Sequence, residues 1–188
     1  MLTVNFDPFP IIETNRLILR RMTLTDAPDY FLLRSNVDAM KHICKPLQTS
    51  LNEAEELIYK VNEMINFNEG IGWALCLKED NRMIGTLSFH KIDKANYRAE
   101  IGYMLFPFFW RKGIISEAVN AIIDFGFNVL KFHSIEAHID PTNIGSEKVL
   151  TKCHFVKEAY YKENYYFDGR FLDTAVFSLI NPNPYEIS

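Results

Sequence analysis

The sequence predicts an α+β fold in which helices flank a mixed, mostly antiparallel sheet. Residues 72–77 and 83–90 are strand-like stretches separated by a short polar turn, which predicts a hairpin. A second hairpin is predicted near the C-terminus, where Asp168-Gly169 separates residues 155–167 from 171–179. These two hairpins predict antiparallel pairing on both sides of the sheet.

A strand, a helix and a second strand follow one another in the middle of the chain, and they predict one parallel step. Residues 99–105 and 134–140 read as strands, and the apolar spacing over 114–129 is that of a helix. A helix is the usual connection between parallel neighbours. The polar residues of this helix recur every four positions, which predicts one narrow solvated stripe: Ser116, Asn120, Asp124 and Asn128.

The N-terminal part of the chain predicts one strand and three helices. Residues 16–20 alternate basic and apolar side chains, which favours a strand. Thr25 is placed to cap a helix, and a short helix is expected from Val37 toward Cys44. Ser50 and Glu53 have capping-box spacing before a longer amphipathic helix.

Composition bounds the class of protein. The 188 residues are 48% hydrophobic and 23% charged, which is ordinary for one globular domain. We expect a single domain over residues 1–188, with its core at about 12–180 and a frayed tail at 181–188. The net charge of −4 disfavours a nucleic-acid partner and suits a cationic one. No stretch resembles a membrane span or a signal peptide, so a cytoplasmic location is expected.

The cysteines and histidines carry no metal-ligand pattern. Three widely spaced cysteines lack a C-x-x-C pair, so neither a disulfide framework nor a zinc site is expected. No metal is therefore predicted.

The segment before the central helix has the character of an anion-binding turn. An aromatic run ending at Trp110 leads to Arg111, Lys112 and Gly113, and the helix follows. Unpaired backbone N–H groups and the helix dipole favour an anion at such a helix start. Plain connection chemistry is the alternative interpretation, since a glycine before a helix is common.

Three motifs in order resemble the Gcn5-related N-acetyltransferase (GNAT) superfamily, in its ribosomal-protein N-terminal acetyltransferase (RimJ/RimL-type) branch. They are the segment 100–103, the Trp-x-Lys-Gly turn at 110–113, and the Asn143/Ser146 pair that opens the helix predicted over 147–153. The resemblance extends from about residue 14 to 179. One departure is Ile115, where the superfamily has a small residue.

The resemblance implies an acetyl-CoA site in a wedge between the two parallel strands. Acetyl-CoA would be the co-substrate, and the N–H of Leu105 would hydrogen-bond the thioester oxygen. The implied cofactor-binding residues are Tyr103, Met104, Leu105, Trp110, Arg111, Lys112, Gly113, Ile114, Ile115, Ser116, Asn143 and Ser146.

The same resemblance implies the catalytic groups. Glu100 is the first candidate for the base, and a structural carboxylate paired with Arg98 or with a cation of a neighbouring strand is an equally good interpretation. Ser146 is the candidate proton donor to the thiolate, although Asn143 and Ser146 also suit helix capping. Tyr165 stands where some members have a glutamate. The remaining candidates are Glu136, Glu163 and His138 as the base, and Tyr103, Tyr165 and Tyr166 as the acid.

The function implied is acetyl-CoA-dependent transfer of acetyl to a primary amine, by direct attack in a ternary complex. The acceptor is a protein N-terminus, such as that of a ribosomal protein, or a small amine. An acetyl-CoA-binding sensor or partner-binding module without transfer is the alternative. The cluster from Phe106 to Trp110 is interpreted as core, as an apolar wall beside the cofactor, or as a contact of a homodimer.

Overall fold

The computed structural model describes residues 1–183. The predicted tail, 181–188, lies outside the described residues from position 184 onward. Its first residue, Asn181, is buried, and its backbone N–H donates to the carbonyl of His133 at 2.9 Å. At the other end Leu2, Val4 and Phe6 are also buried in the core. The packed part of the chain therefore extends beyond the predicted limits of 12 and 180.

Eight strands and five α-helices are found in residues 1–183. The strands are Ile12–Glu13 (β1), Leu17–Arg21 (β2), Ile71–Leu77 (β3), Met83–Asp93 (β4), Arg98–Leu105 (β5), Ser134–Ile139 (β6), Val156–Phe167 (β7) and Arg170–Ile180 (β8). The helices are Ala27–Ser35 (α1), Val37–Met40 (α2), Leu51–Asn66 (α3), Ile114–Asn128 (α4) and Ile144–Lys152 (α5). No helix of this part of the chain is both long and apolar enough to cross a bilayer.

All eight strands join one sheet in the order β1-β2-β3-β4-β5-β6-β8-β7. Every neighbouring pair is antiparallel except β5 and β6, which are parallel and are connected through α4. The predicted mixed sheet with one parallel step is confirmed, as are both hairpins.

The two faces of the sheet are covered differently. The odd-numbered residues of β5, from Ala99 to Leu105, pack with α4 in the larger core. Ala74 of β3 packs with α1 and α3 in a smaller core, and Met104 packs against its edge. Helices α1 and α3 thus cover one part of the second face, whose polar side chains lie elsewhere on β4, β5 and β6.

Three local predictions in the N-terminal part need correction. Asp26, and not Thr25, is the N-cap residue of α1; a single 3-10 turn over Leu24–Asp26 precedes the helix, and the N–H of Thr23 at its start donates to Asp26 Oδ2 at 2.8 Å. Helix α2 ends at Met40, four residues before Cys44. Glu53 accepts hydrogen bonds from the N–H and hydroxyl of Thr49, whereas a capping box would use the N–H of Ser50.

The solvated stripe of α4 is shorter than predicted. Asn120, Asp124 and Asn128 are exposed, but Ser116 is only 7% exposed. The carbonyl of Ser116 accepts a weak hydrogen bond from the Cys153 thiol at 3.8 Å, because α5 packs over the start of α4. The four-residue spacing did not reveal this neighbour.

Candidate active site

The two parallel strands part in the middle of the sheet. Their pairing runs from Arg98 opposite Ser134 to Glu100 opposite Glu136, whereas β5 continues to Leu105. Backbone groups of β5 beyond Glu100 on the β6 side are thereby left facing an opening. This opening is the wedge that the sequence led us to expect.

The hydrogen-bond pattern of β5 decides which backbone groups face the opening. The N–H of Phe106 donates to the carbonyl of Ile84 on β4 at 3.0 Å. Because antiparallel strands alternate, the N–H and C=O of Leu105 point the other way, toward β6. The indole Nε1 of Trp110 donates to the carbonyl of Leu105 at 2.9 Å. The N–H of Leu105 therefore faces the opening.

The turn before α4 has the backbone shape of an anion site. Arg111 has φ 61° and Gly113 has φ 73°, both in the left-handed region. Such turns gather successive N–H groups on one side, and α4 adds its own unpaired N–H groups. Arg111, Lys112 and Gly113 are all exposed. The Lys112 ammonium lies 4.0 Å from the centre of the Phe108 ring.

Arg16 and Glu117 stabilise this turn through hydrogen bonds. Arg16 Nη1 donates to the carbonyl of Lys112 at 3.0 Å, and its Nε donates to Glu117 at 2.7 Å. Glu117 also accepts from the Thr14 hydroxyl at 2.6 Å. Sequence reasoning did not assign Arg16 to the site, because 96 residues separate it from Lys112 and no local pattern reports such a contact.

Ile115 lies on the core side of the turn. Its side chain is half-buried and packs against the larger core, and Ile114 is buried there as well. The bulk of Ile115 is therefore accommodated by the core.

Tyr103 and Ser146 meet across the opening. Their hydroxyl oxygens are 2.6 Å apart, which joins β5 to the first turn of α5. Burial raises the pKa of Tyr103 well above its ordinary value, although the Ser146 hydrogen bond acts against the rise. Asn143 caps α5, because its side-chain oxygen accepts from the N–H of Ser146 at 3.0 Å. Both predicted roles of this pair, capping and a place beside the opening, are compatible with this geometry.

Polar side chains of three adjacent strands share the second face, and we call this cluster the acceptor face. It consists of Ser88, His90, Glu100, Glu136 and His138. Carboxylate oxygens of Glu100 and Glu136 and a ring nitrogen of His138 lie within 4.8 Å of one another. The face begins where the wedge begins, at the Glu100 and Glu136 pair.

Each carboxylate of the acceptor face already has a cationic partner. Glu100 bonds Lys91 Nζ at 2.6 Å and lies 3.2 Å from His90 Nε2, while Glu136 bonds Arg98. Burial would raise the pKa of Glu100, but the hydrogen bonds from His90 and Lys91 outweigh burial and lower the pKa to about 2. The sequence interpretation of Glu100 as a structural carboxylate paired with a cation is confirmed for a cation of the neighbouring strand, Lys91, whereas Arg98 bonds Glu136.

Tyr165 lies on the same side of the sheet as Glu100. Glu136 pairs with Ser178, and Leu172, six residues before Ser178 on β8, pairs with Tyr165. Paired residues and every second residue share a face, so Tyr165 extends the acceptor face toward the hairpin end. Among the side-chain hydrogen bonds described for residues 1–183, none involves Tyr165.

The segment between α2 and α3 reaches across to the end of β6. The His42 ring Nδ1 is 2.8 Å from Asp140 Oδ2. Burial would raise the pKa of Asp140, but hydrogen bonds from His42 and Thr142 hold it below its ordinary value. This contact joins the segment after α2 to the residue that follows β6.

Comparison with known proteins gives a consistent result. The family model described as the acetyltransferase (GNAT) domain matches residues 16–156. The chain is 36% identical to the uncharacterized N-acetyltransferase p20 of Bacillus licheniformis, over 90% of this chain and 95% of the relative. It is 33% identical to the uncharacterized N-acetyltransferase YoaA of Bacillus subtilis, over 93% and 98%. A solved structure, the ribosomal-protein-S5-alanine acetyltransferase from Vibrio fischeri, aligns with TM-score 0.80 at 26% identity, covering 94% of this chain and 100% of the other.

Proposed function

This chain belongs to the GNAT acetyltransferase family and is an acetyl-CoA-dependent N-acetyltransferase, and we propose that its acceptor is the N-terminal amine of a protein. One observation carries the proposal. The opening between β5 and β6 joins an anion-binding turn at Arg111 to Gly113 with a polar face at Glu100, which is buried, and Glu136, which is partly exposed. An acyl donor with a pyrophosphate suits the turn, and an acetyl acceptor with a positive charge suits the polar face.

The turn and the opening fit the acyl donor. The N–H groups at Gly113 and the first turn of α4 would hold the pyrophosphate, with Arg111 and Lys112 beside it. The N–H of Leu105 would donate to the thioester oxygen, which gains negative charge in the transition state. The other residues proposed to line this site are Tyr103, Met104, Trp110, Ile114, Ile115, Ser116, Asn143 and Ser146.

The acceptor face fits an amine that must lose a proton. An α-amine has a pKa of about 7.7–8.0, so part of it is protonated at neutral pH and a base must assist. In our proposal Glu100 contributes to this step and Tyr165 contacts the acceptor. Ser146, with Tyr103 beside it at 2.6 Å, donates a proton to the departing thiolate.

Direct attack in a ternary complex is favoured over an acyl-cysteine. Burial raises the pKa of Cys44, Cys76 and Cys153, with Cys76 at about 11. A thiol needs its thiolate form to act as a nucleophile. None of the three is therefore suited to carry the acetyl group.

A protein acceptor is supported by the shape of the acceptor side. Exposed rings of β7, including Tyr161 and Tyr165, stand on the same face as Glu136. Such rings offer contact area for a peptide. The solved relative named for ribosomal protein S5 agrees with this class of acceptor.

The remaining expectations stay proposals. They are a cytoplasmic location, a homodimer through the Phe106 to Trp110 cluster, no nucleic-acid partner, and one domain over the chain. Phe108 and Trp110 are 75% and 45% exposed, which leaves them available for a contact.

The test is acetyl-CoA turnover measured by thiol release on a panel of acceptors. We expect peptides that begin with Ala or Ser to be acetylated at the α-amine, with mass spectrometry locating the group. A matched peptide with a blocked N-terminus and an internal lysine is the control. Faster turnover of spermidine or of the blocked peptide would reject a protein N-terminus. Binding of acetyl-CoA without any transfer would favour a sensor.

A further inference from the structure

We propose that His90 takes the proton from the acceptor amine and that Glu100 is the positioning residue that orients its ring. The inference rests on the proposed function and assigns the base within it. Sequence reasoning interpreted His90 as a structural histidine, because a lone histidine in a strand carries no metal-ligand or catalytic pattern. Its partners become visible only through the pairing of β4 with β5.

The two ring nitrogens of His90 have different neighbours. His90 pairs with Glu100 across the strands, and Nε2 lies 3.2 Å from Glu100 Oε1. Nδ1 lies 3.4 Å from the Ser88 hydroxyl, a long and weak contact. A carboxylate at Nε2 selects the tautomer with the proton there, which leaves the lone pair on Nδ1. Nδ1 is thus free to accept a proton.

Gly102 leaves room for the His90 ring because it has no side chain. A Cβ at Gly102 would lie 3.0 Å from His90 Cε1 and 3.4 Å from Nδ1. The imidazole therefore packs directly on the backbone of β5, two residues beyond the last pair with β6. The His90 side chain is 34% exposed, so an acceptor can reach it.

Glu100 is less suited to take the proton itself. Its Oε2 holds Lys91 at 2.6 Å, and Lys91 reaches it because β4 is irregular there, with Lys91 at φ 48° and a register shift between His90 and Asp93. With its pKa lowered to about 2, the carboxylate is a weak acceptor for an ammonium proton. A neutral imidazole is a stronger base than such a carboxylate.

The charges around His90 are balanced. On β4 the neighbour is Lys91, and on β5 and β6 the charged or titratable groups are Arg98, Glu100, Glu136 and His138. Two carboxylates face two permanent cations. The group in direct contact with His90, Glu100, is therefore the one expected to govern its protonation.

The chemical step balances with these residues. The amine nitrogen forms a bond to the acetyl carbon and the thioester C–S bond breaks. The amine proton goes to His90 Nδ1. The electron pair of the C–S bond leaves with the thiolate, which Ser146 protonates, and the proton on His90 then returns through solvent to restore the Ser146 hydroxyl.

The test compares His90→Gln with the parent over a range of pH. We expect kcat to fall by about 10²–10³-fold, the usual contribution of a general base, with acetyl-CoA affinity unchanged. The fall of kcat/KM at low pH, the acid limb of the profile, should disappear. In Glu100→Gln the acid limb should remain but should move to lower pH, because the protonated His90 ring loses the carboxylate that stabilises it. His154→Gln, an exposed histidine in a turn after α5, should behave as the parent.

Chemical rescue and two other variants test the same assignment. If His90→Gln does not fold, added imidazole should restore part of the turnover lost in His90→Ala. Parent-like turnover in His90→Gln, or an acid limb that vanishes only in Glu100→Gln or His138→Gln, would overturn the assignment while leaving the transferase function standing. A parent that acetylates no amine would overturn both.

Discussion

Gly113 is the residue on which the backbone of the turn before α4, proposed to bind an anion, depends most directly. Its φ of 73° lies in the region that side chains disfavour, and the nearest atom to a Cβ there would be Arg16 Nη2 at 3.6 Å. Gly169, in the hairpin turn, has φ 78° and no neighbour within 4 Å of such a Cβ. A side chain would be disfavoured at both glycines by the left-handed backbone, but only Gly113 lies at the proposed phosphate site.

We therefore expect Gly113→Val and Gly169→Val to lose similar stability and to differ in binding. A residue other than glycine in the left-handed region costs about 1–2 kcal/mol in each case. Only Gly113→Val should weaken acetyl-CoA binding, by about tenfold or more, since a valine disfavours the left-handed backbone that aims the N–H groups at the phosphate. Calorimetric titration measures the affinity and urea unfolding the stability. Equal affinity in the two variants would argue against a phosphate at this turn.

At the scale of elements, α4 is held against the sheet by a close contact at Gly126. A Cβ there would meet Phe89 of β4 at 3.0 Å, Phe132 at 3.1 Å and Ile135 of β6 at 3.2 Å. Phe89, Phe132 and Ile135 are fully buried. The glycine lets α4 approach β4 and β6 closely. This packing positions α4 and, with it, the turn that precedes the helix.

We expect Gly126→Ala to destabilise the protein. Alanine in place of glycine favours a helix by about 1 kcal/mol, whereas overpacking of a full core costs about 1–3 kcal/mol. Crowding should win because three rigid, buried groups must move. Gly145→Ala in α5 is the control, because its Cβ would have one ordinary contact, Asn143 Oδ1 at 3.5 Å. A Gly126→Ala variant as stable as Gly145→Ala, measured by urea unfolding, would contradict the close contact.

At the scale of the whole molecule, Glu117 joins the first strands to the central helix. It accepts from the Thr14 hydroxyl, from the N–H of Arg16 at 2.9 Å and from Arg16 Nε at 2.7 Å, across 101 residues or more. Burial would raise the pKa of Glu117, but these hydrogen bonds outweigh it and hold the pKa below its ordinary range.

We expect Glu117→Gln to lose about 1–2 kcal/mol near neutral pH, the scale of hydrogen bonds to a charged group. A lowered folded-state pKa means that the contribution is present above the unfolded-state pKa of about 4.3 and is lost as the pH falls through the folded-state value. The difference between parent and variant should therefore shrink in acid. Glu13→Gln, which removes an exposed ion pair with Lys78, should change stability by less than about 1 kcal/mol. A difference that stays constant with pH would exclude this account.

Much of the architecture was predictable because its signals are local. Period-two stretches, the Asp168-Gly169 turn and the apolar spacing of α4 identified the two hairpins and the parallel step, and all are confirmed. The motif around Gly113 indicated the family, which the comparison with known proteins also identifies. Ser116 shows the limit of periodicity, since a helix pattern cannot reveal a second helix packed over it.

The sequence by itself determined the order of the elements, the acetyl-CoA-dependent class of reaction and the turn proposed for the pyrophosphate. Only the tertiary structure decided which polar groups meet. It brought Arg16 to Glu117, Tyr103 to Ser146, and His90 to Glu100. Such contacts depend on strand register, on the irregularity of β4 at Lys91 and on how helices pack. These properties arise from many weak long-range contacts acting together, so no short stretch of the chain records them.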